Sequence, residues 1–282
     1  MTTMRSNRDV ARIDRPTVAR GMTDTHRVRP LVPPGYWAAT DPFLLLMEDW
    51  FPEGVFDRHP HRGIETVTYV LDGTIEHYDN HGHSGTIGAG DAQWLTAGRG
   101  LIHNEKPAAG QTVHLLQLWV NLPQADKLVP PRHQDLRAID VPVRREPGAE
   151  VRVFSGTSGG VVASTQNYAP VTLLEIRLEP GVTIAQDLLP DFNAFAVVLE
   201  GGGSLGSSSA AVSAGDVAWL TRSEGPSTVT FTAGGERLRA FLFAGQPLRE
   251  PVAARGPFVM NTERELDEGY AEFRAQGERF GL

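Results

Sequence analysis

The string Ala-Gly-Asp-x-x-Trp-Leu-Thr occurs twice, at Ala89–Thr96 and at Ala214–Thr221, 125 residues further on. A Gly-Asp turn between short strands is common singly, but a pattern of this length kept in both halves marks a duplication. Each copy follows a strand-forming run that ends in glycine, Val67–Gly73 in the first and Ala194–Gly201 in the second. A period this long is too great for a solenoid and fits two β-domains. Many short strands, 30 Gly and 20 Pro suit jelly-roll sandwiches or barrels. The 282 residues are enough for two domains that each bury a core. The expected boundaries are a first domain over 1–135, a linker over 136–149 and a second domain over 150–282. The linker carries Val141-Pro-Val-Arg-Arg-Glu-Pro-Gly148, which interrupts the hydrophobic pattern.

The tail departs from β-character. Thr262-Glu-Arg-Glu265 has the form of a capping box, a Thr N-cap with Glu three residues on. Leu266, Tyr270 and Phe273 then recur at helical spacing, and Gly277 marks the stop. These residues predict a short helix at the end of the second domain, its apolar stripe packed on a barrel.

All nine histidines lie between His26 and His133, so chemistry and scaffold separate along the chain. Two of the clusters are short and spaced by two: His59-Pro-His61 and His103-Asn-Glu105. In a strand, residues i and i+2 share a face, so each pair can aim both side chains into one interior. Three imidazoles and a carboxylate form a ligand set for a divalent first-row metal. Cysteine is absent, so a metal here must be held by nitrogen and oxygen, and disulfides and thiol catalysis are excluded. At the matching places the second half offers Asp187 and Leu189, then Thr228 and Thr230, which cannot rebuild the site.

Other candidates have plainer readings. His81-Gly-His83 is a second His-x-His pair, but it sits in a turn-rich stretch and reads as an exposed hairpin tip. His77 and His114 lie in strand-like runs, where a structural histidine is the default, although either could reach the cavity. Leu115, Gln117 and Trp119 alternate on one strand face; core packing is the default, with Gln117 a candidate pocket residue. Arg99, between two turn glycines, reads equally as a receiver of an anionic ligand and as a surface arginine.

Charge limits the partners. With 26 Lys+Arg against 34 Asp+Glu, the formal net charge is -8, which argues against direct nucleic-acid binding. The opening MTTMRSNRDVARIDR has no apolar signal core, and no apolar run is long enough for a bilayer, so the expected location is the cytoplasm, without membrane contact.

The strings HPHRGIETVTYVLDGTIEHYDNHG (59–82), GAGDAQWLTAGRGLIHNE (88–105), LQLWVNLP (116–123) and GQPLREPVAARGPFVMNT (245–262) resemble the pirin family of the cupin superfamily. The resemblance spans nearly the whole chain. It implies an all-β fold of two tandem cupin barrels with a short C-terminal helix, the first barrel binding one metal and the second degenerate. It implies His59, His61, His103 and Glu105 as ligands of one divalent ion, with Fe(II) the expected metal. Some family members are similar to quercetin 2,3-dioxygenases, implying a flavonol or similar aromatic enol and dioxygen as substrates; in that reaction Glu105 is the catalytic candidate, able to take the enol proton if its metal bond is loose. Others bind a transcription factor or a metabolic enzyme, which implies the alternative of a non-enzymatic iron-dependent regulator with a protein partner. In the wider cupin pattern the carboxylate follows the His pair by four residues, at Glu65. Glu105 is expected to be the ligand, with Glu65 a supporting residue or a fifth ligand.

Overall fold

The computed structural model describes residues 5–282, and the repeated string folds the same way in both halves. In the first copy Gly90 takes φ 89° and the Asp91 carboxylate accepts the backbone N–H of Gly88 at 3.1 Å. In the second copy Gly215 takes φ 93° and Asp216 accepts the N–H of Ser213 at 3.0 Å. Each turn then docks on the preceding strand by the same two backbone bonds, Gly90 and Asp91 on Val70, Gly215 and Asp216 on Val198. The aspartate satisfies the turn, the glycine supplies the left-handed conformation, and the following Trp starts inside a strand.

The chain forms two compact units, each a two-sheet jelly roll. One unit combines residues 17–139 with 248–282. Its seven-stranded sheet runs Arg132–Leu136, Ala92–Thr96, Ile64–Asp72, Thr112–Asn121, Phe43–Pro52, Arg27–Val32, Ala19–Arg20, and its four-stranded sheet runs His59–His61, Leu101–Pro107, Thr74–Asp79, Ser84–Gly88. The other unit combines residues 5–16 with 140–247. Its seven-stranded sheet starts at Val143–Glu146 and ends with Val10–Asp14 paired to Val217–Leu220. Its smaller sheet centres on Ser227–Ala233, which pairs with Thr183–Leu188, with Gly202–Leu205 and, in parallel, with Ser6–Asn7.

The expected domain boundaries therefore need correcting at both ends of the chain. The first strands complete the sheets of the second unit, and the tail completes the first. Arg8 shows why the leading segment belongs there. Its guanidinium, 2% exposed, donates to Phe192 O at 2.6 Å, Leu189 O at 2.8 Å and Ser227 Oγ at 2.8 Å. All three acceptors belong to the second unit. The helix Glu263–Gln276 forms with the expected capping box: Thr262 Oγ1 accepts the Glu265 N–H and the Glu265 carboxylate accepts the Thr262 N–H at 2.8 Å. Its stripe packs in a cluster with Ile102, Phe258, Met260 and Phe280, in the first unit rather than the second. Among the described residues no helix is long and apolar enough to cross a membrane.

The interior of the second unit is one continuous apolar cluster that includes Leu188, Val229 and Phe231. The inward positions there are Gln186, Leu188, Ser227 and Val229, all buried, whereas Asp187 and Leu189 are exposed and Thr228 and Thr230 half-buried. The positions expected from the repeat spacing are one residue out of register, which turns them to the other face. The corrected positions also lack imidazole and carboxylate.

Replacing Arg8 with Met is expected to cost the second unit roughly 3 kcal/mol, because three acceptors, Phe192 O and Ser227 Oγ of them buried, lose a charged donor. A shift in the denaturant midpoint at unchanged slope measures it.

Candidate metal centre

The His59–His61 strand and the Leu101–Pro107 strand pair antiparallel, with His103 opposite His59 and Leu101 opposite His61. On its other edge Leu101–Pro107 pairs with Thr74–Asp79, which sets Glu105 opposite His77. Alternation then puts His59, His61, His103, Glu105 and His77 on one interior face. The ligand atoms of His59, His61 and His103 lie within 4.8 Å of one another, and so do those of His77, His103 and Glu105. The predicted four are thus brought together as two overlapping groups that share His103.

Protonation suits a cation. His59 Nδ1 lies 2.8 Å from Asp57 O and donates to it, which leaves the Nε2 lone pair facing His103 Nε2 at 3.1 Å. Two ligands at about 2.1 Å from one ion, at right angles, stand roughly 3 Å apart. His61 Nδ1 is buried without a hydrogen-bond partner among the described residues, the kind of orphan that an ion satisfies. Burial drives His61 and His103 well below the ordinary imidazole range, and the neighbouring histidines add to it. Both are therefore neutral and able to coordinate at neutral pH. The donor set of nitrogen and oxygen fits a first-row divalent ion.

Glu105 is held by Thr68, whose Oγ1 lies 2.7 Å from Glu105 Oε1 and 2.9 Å from the Gln117 amide. A hydroxyl has one proton. It goes to the carboxylate when the amide turns its NH2 toward Thr68. Gln117 therefore sits in the site, beyond its default reading as core. Glu65 does not join either group. The turn at Arg62-Gly63, with Gly63 at φ 77°, carries the chain from the small sheet to the large one, and Thr96 Oγ1 donates to Glu65 at 2.7 Å. The strand relation between His61 and Glu65 is broken there, so the supporting role is the one its position allows.

His77, structural by default in the sequence reading but able to reach the cavity, lies beside the centre. It is 2% exposed and sits between His103, with ring centroids 5.3 Å apart, and His133 at 5.0 Å. Its place beside Glu105 follows from the hairpin register, whereas the carboxylate spaced two residues from it, Asp79, turns to His83. His83 stacks on His133 and contacts Asp79 at 3.2 Å, and His81 reaches only Gly100 O at 3.4 Å, in keeping with a hairpin tip. His114 pairs with Glu48 at 2.8 Å and stacks on Trp50, a structural histidine. Arg99 Nε donates to Gly281 O at 2.8 Å and so fastens the tail, a role neither sequence reading named.

A cavity of about 510 Å³ opens on the centre. Phe51, Val55, Phe56, Leu115 and Trp119 form apolar walls, while His59, His61, Glu105 and Gln117 supply the polar end. The arrangement can hold a flat apolar molecule with one polar edge against the imidazoles.

A two-barrel, predominantly β chain whose candidate ligand groups, among the described residues, lie in the first barrel is a bicupin. Residues 35–120 match the pirin family and residues 173–281 the pirin C-terminal cupin domain, and the chain belongs to the pirin family. It is 44% identical over 232 residues to Pirin-like protein 2 of Arabidopsis thaliana, covering 80% of this chain and 72% of that one. Among solved structures it resembles GK1651 of Geobacillus kaustophilus at 48% identity, with a TM-score of 0.85 over 88% of this chain and 100% of that one. It also resembles a quercetin 2,3-dioxygenase of Acinetobacter baumannii at 28% identity, with a TM-score of 0.84 over 98% and 99%.

Asp79 provides a pH test of this region. Burial opposes its ionisation, but His77 beside it and the N–H groups of His81 and His83 outweigh that and hold its carboxyl at about 2. A carboxyl lowered on folding stabilises the fold above its unfolded pKa, and that contribution disappears as pH falls toward 2. Metal-free protein is expected to lose roughly 2 kcal/mol between pH 4 and pH 2 that Asp79→Asn does not lose. Denaturant unfolding at stepped pH checks the difference.

Proposed function

We propose that the chain is a metal-dependent bicupin oxidoreductase that opens flavonols or similar aromatic enols with dioxygen. One divalent ion, Fe(II) by expectation, would be held by His59, His61, His103 and Glu105, with His77 beside them. The observation that carries the reading is that two ligand groups sharing His103, one with His59 and His61 and one with His77 and Glu105, meet behind an apolar-walled cavity whose polar end is lined by His59, His61 and Glu105. The 28% identity to a quercetin 2,3-dioxygenase over nearly the whole chain supports the substrate class.

When bound, the ion supplies Lewis acidity toward the enol hydroxyl and a redox partner for dioxygen. The protein does the rest. Phe51, Phe56, Leu115 and Trp119 take the flat rings between apolar surfaces and exclude water from the reacting carbons. Glu105 accepts the hydroxyl proton, and the Thr68 hydroxyl holds the carboxylate in place while it does so. The neutral state of His61 and His103 keeps the face toward the substrate free of imidazolium charge.

Purified protein is expected to carry about one equivalent of metal, and His61→Ala or His103→Ala to retain less than a tenth of it, read by elemental analysis. Metal-loaded protein given quercetin and oxygen is expected to yield ring-opened product, and Glu105→Gln to lower the turnover rate on the order of a hundredfold at similar metal content. Full metal loading without product across a panel of flavonols and related enols would overturn the enzymatic reading in favour of the regulator.

A further inference from the structure

The cavity holds a second carboxylate, on the wall of the large sheet. Asp49 lies in the strand Phe43–Pro52 with Leu115 as its cross-strand partner, and both line the cavity. It is only 6% exposed. Charged groups this deep in an apolar wall cost free energy unless something pairs with them.

Half of that pairing is internal. His26 Nε2 lies 2.8 Å from Asp49 Oδ1, and His26 Nδ1 lies 3.0 Å from the backbone nitrogen of Met22. A backbone N–H can only donate, so Nδ1 carries the lone pair and the imidazole proton sits on Nε2, aimed at Asp49. His26 is 3% exposed and is gripped edge-on by Phe51 and Phe56, at centroid distances of 6.0 and 5.3 Å. The turn before it is shaped around the ring. Gly21 donates to His26 O at 2.9 Å, and a Cβ at Gly21 would stand 2.1 Å from His26 Nδ1. The segment Gly21–His26 thus fixes one carboxylate oxygen as an acceptor already in use. Among the described residues no other side chain or backbone group hydrogen-bonds Asp49, and its remaining oxygen belongs to the cavity wall.

Position decides what this oxygen meets. Leu115 and Gln117 are successive inward residues of one strand, and Gln117 reaches Glu105 through Thr68. A diagonal neighbour across an antiparallel pair lies about 7–8 Å away, so Asp49 stands roughly one aromatic ring removed from the Gln117 end. The surfaces in between are Phe51, Phe56, Leu115 and Trp119. A flat molecule with its enol edge at the imidazoles brings its far ring to Asp49, and only a donor there satisfies the carboxylate.

We propose that Asp49, oriented by His26, is the distal recognition group of the cavity and accepts a hydrogen bond from a phenolic hydroxyl on the end of the ligand remote from the His59–His61–His103 cluster. It selects polyhydroxylated enols over those bearing the enol hydroxyl alone, and it repels aromatic carboxylates. This inference rests on the flavonol reading of the site.

Anaerobic titration of the metal-loaded protein with quercetin and with 3-hydroxyflavone, which lacks the remote hydroxyls, tests it. Wild type is expected to bind quercetin about tenfold more tightly, the scale of one hydrogen bond to a charged acceptor. In Asp49→Asn the amide oxygen still accepts from His26, so the fold and melting temperature hold, but an NH2 donor faces the ligand. The preference is expected to fall to about twofold or less. A tenfold preference that survives in Asp49→Asn overturns the assignment of Asp49 alone. Equal affinity for the two ligands in wild type overturns the distal subsite without any substitution, whatever the stability of the variant. Wild type that binds neither ligand overturns the flavonol reading and this inference with it.

Discussion

The register of one strand, Leu101–Pro107, organises the first unit. It lies between His59–His61 and Thr74–Asp79, and pairing sets His103 against His59 and Glu105 against His77. Side chains alternate, so the same register hands Ile102 to the opposite face, where it joins Phe258, Leu266 and Phe280. Asn80 adds a clamp, its Oδ1 accepting the Ile102 N–H at 2.8 Å and its own N–H donating to Ile102 O at 2.9 Å. A slip of one residue would either push Ile102 among the imidazoles or set His103 in the apolar cluster with Asn104 in its place. Both faces penalise that slip, so the geometry of the centre is specified by apolar packing on the side away from it.

What was legible in the sequence follows from the range of the interactions. The duplicated turn is local: Asp91 and Asp216 each bond a residue three positions back, so the string alone announces it. The His-x-His and His-x-Glu pairs are equally local, because strand alternation needs no knowledge of the partner. The place of His77 beside Glu105 was not legible, since it depends on a hairpin register that no neighbouring residue encodes. The exchange of the chain ends was hidden for the same reason. Val10 pairs with Leu220, and nothing in either segment distinguishes that edge from its counterpart in the first unit. Asp49 lay out of sight because its partner His26 belongs to a turn with no pattern of its own.

The two units show what the centre costs. In the second, 23 buried side chains drawn from between Ala149 and Ala244, Leu174, Val229 and Phe231 among them, form one cluster inside the barrel. In the first, smaller apolar groups stand beside the polar cavity, among them one about Phe51 and Val113, one about Leu44 and Ile64 and one under the helix. Dividing a core forfeits contacts that a continuous one keeps. The first unit also carries a row of buried histidines whose burial opposes protonation. An ion held by His61 and His103 would return stability to that unit.

That argument explains why the tail belongs to the first unit. The His59–His61 strand has three residues, and Pro60 has no N–H to donate, so the strand cannot hold its own register. Its continuation is fastened by the tail: Val259 N–H donates to Arg62 O at 3.0 Å, and Gly63 lies so close that a Cβ would stand 2.0 Å from Val259 O. Lys127 Nζ closes the junction, donating to Gly63 O at 2.8 Å, Val259 O at 2.9 Å and Asn121 Oδ1 at 2.6 Å. Burial brings that amine down to about 7 against the pull of Glu250 and Glu265, so the ties form where water is largely excluded. The helix Glu263–Gln276 then covers the hairpin that makes these bonds, with Phe258 stacked between Tyr270 and Phe280. Two ligand candidates on a strand too short to stand alone are thus positioned by residues nearly two hundred places further along the chain.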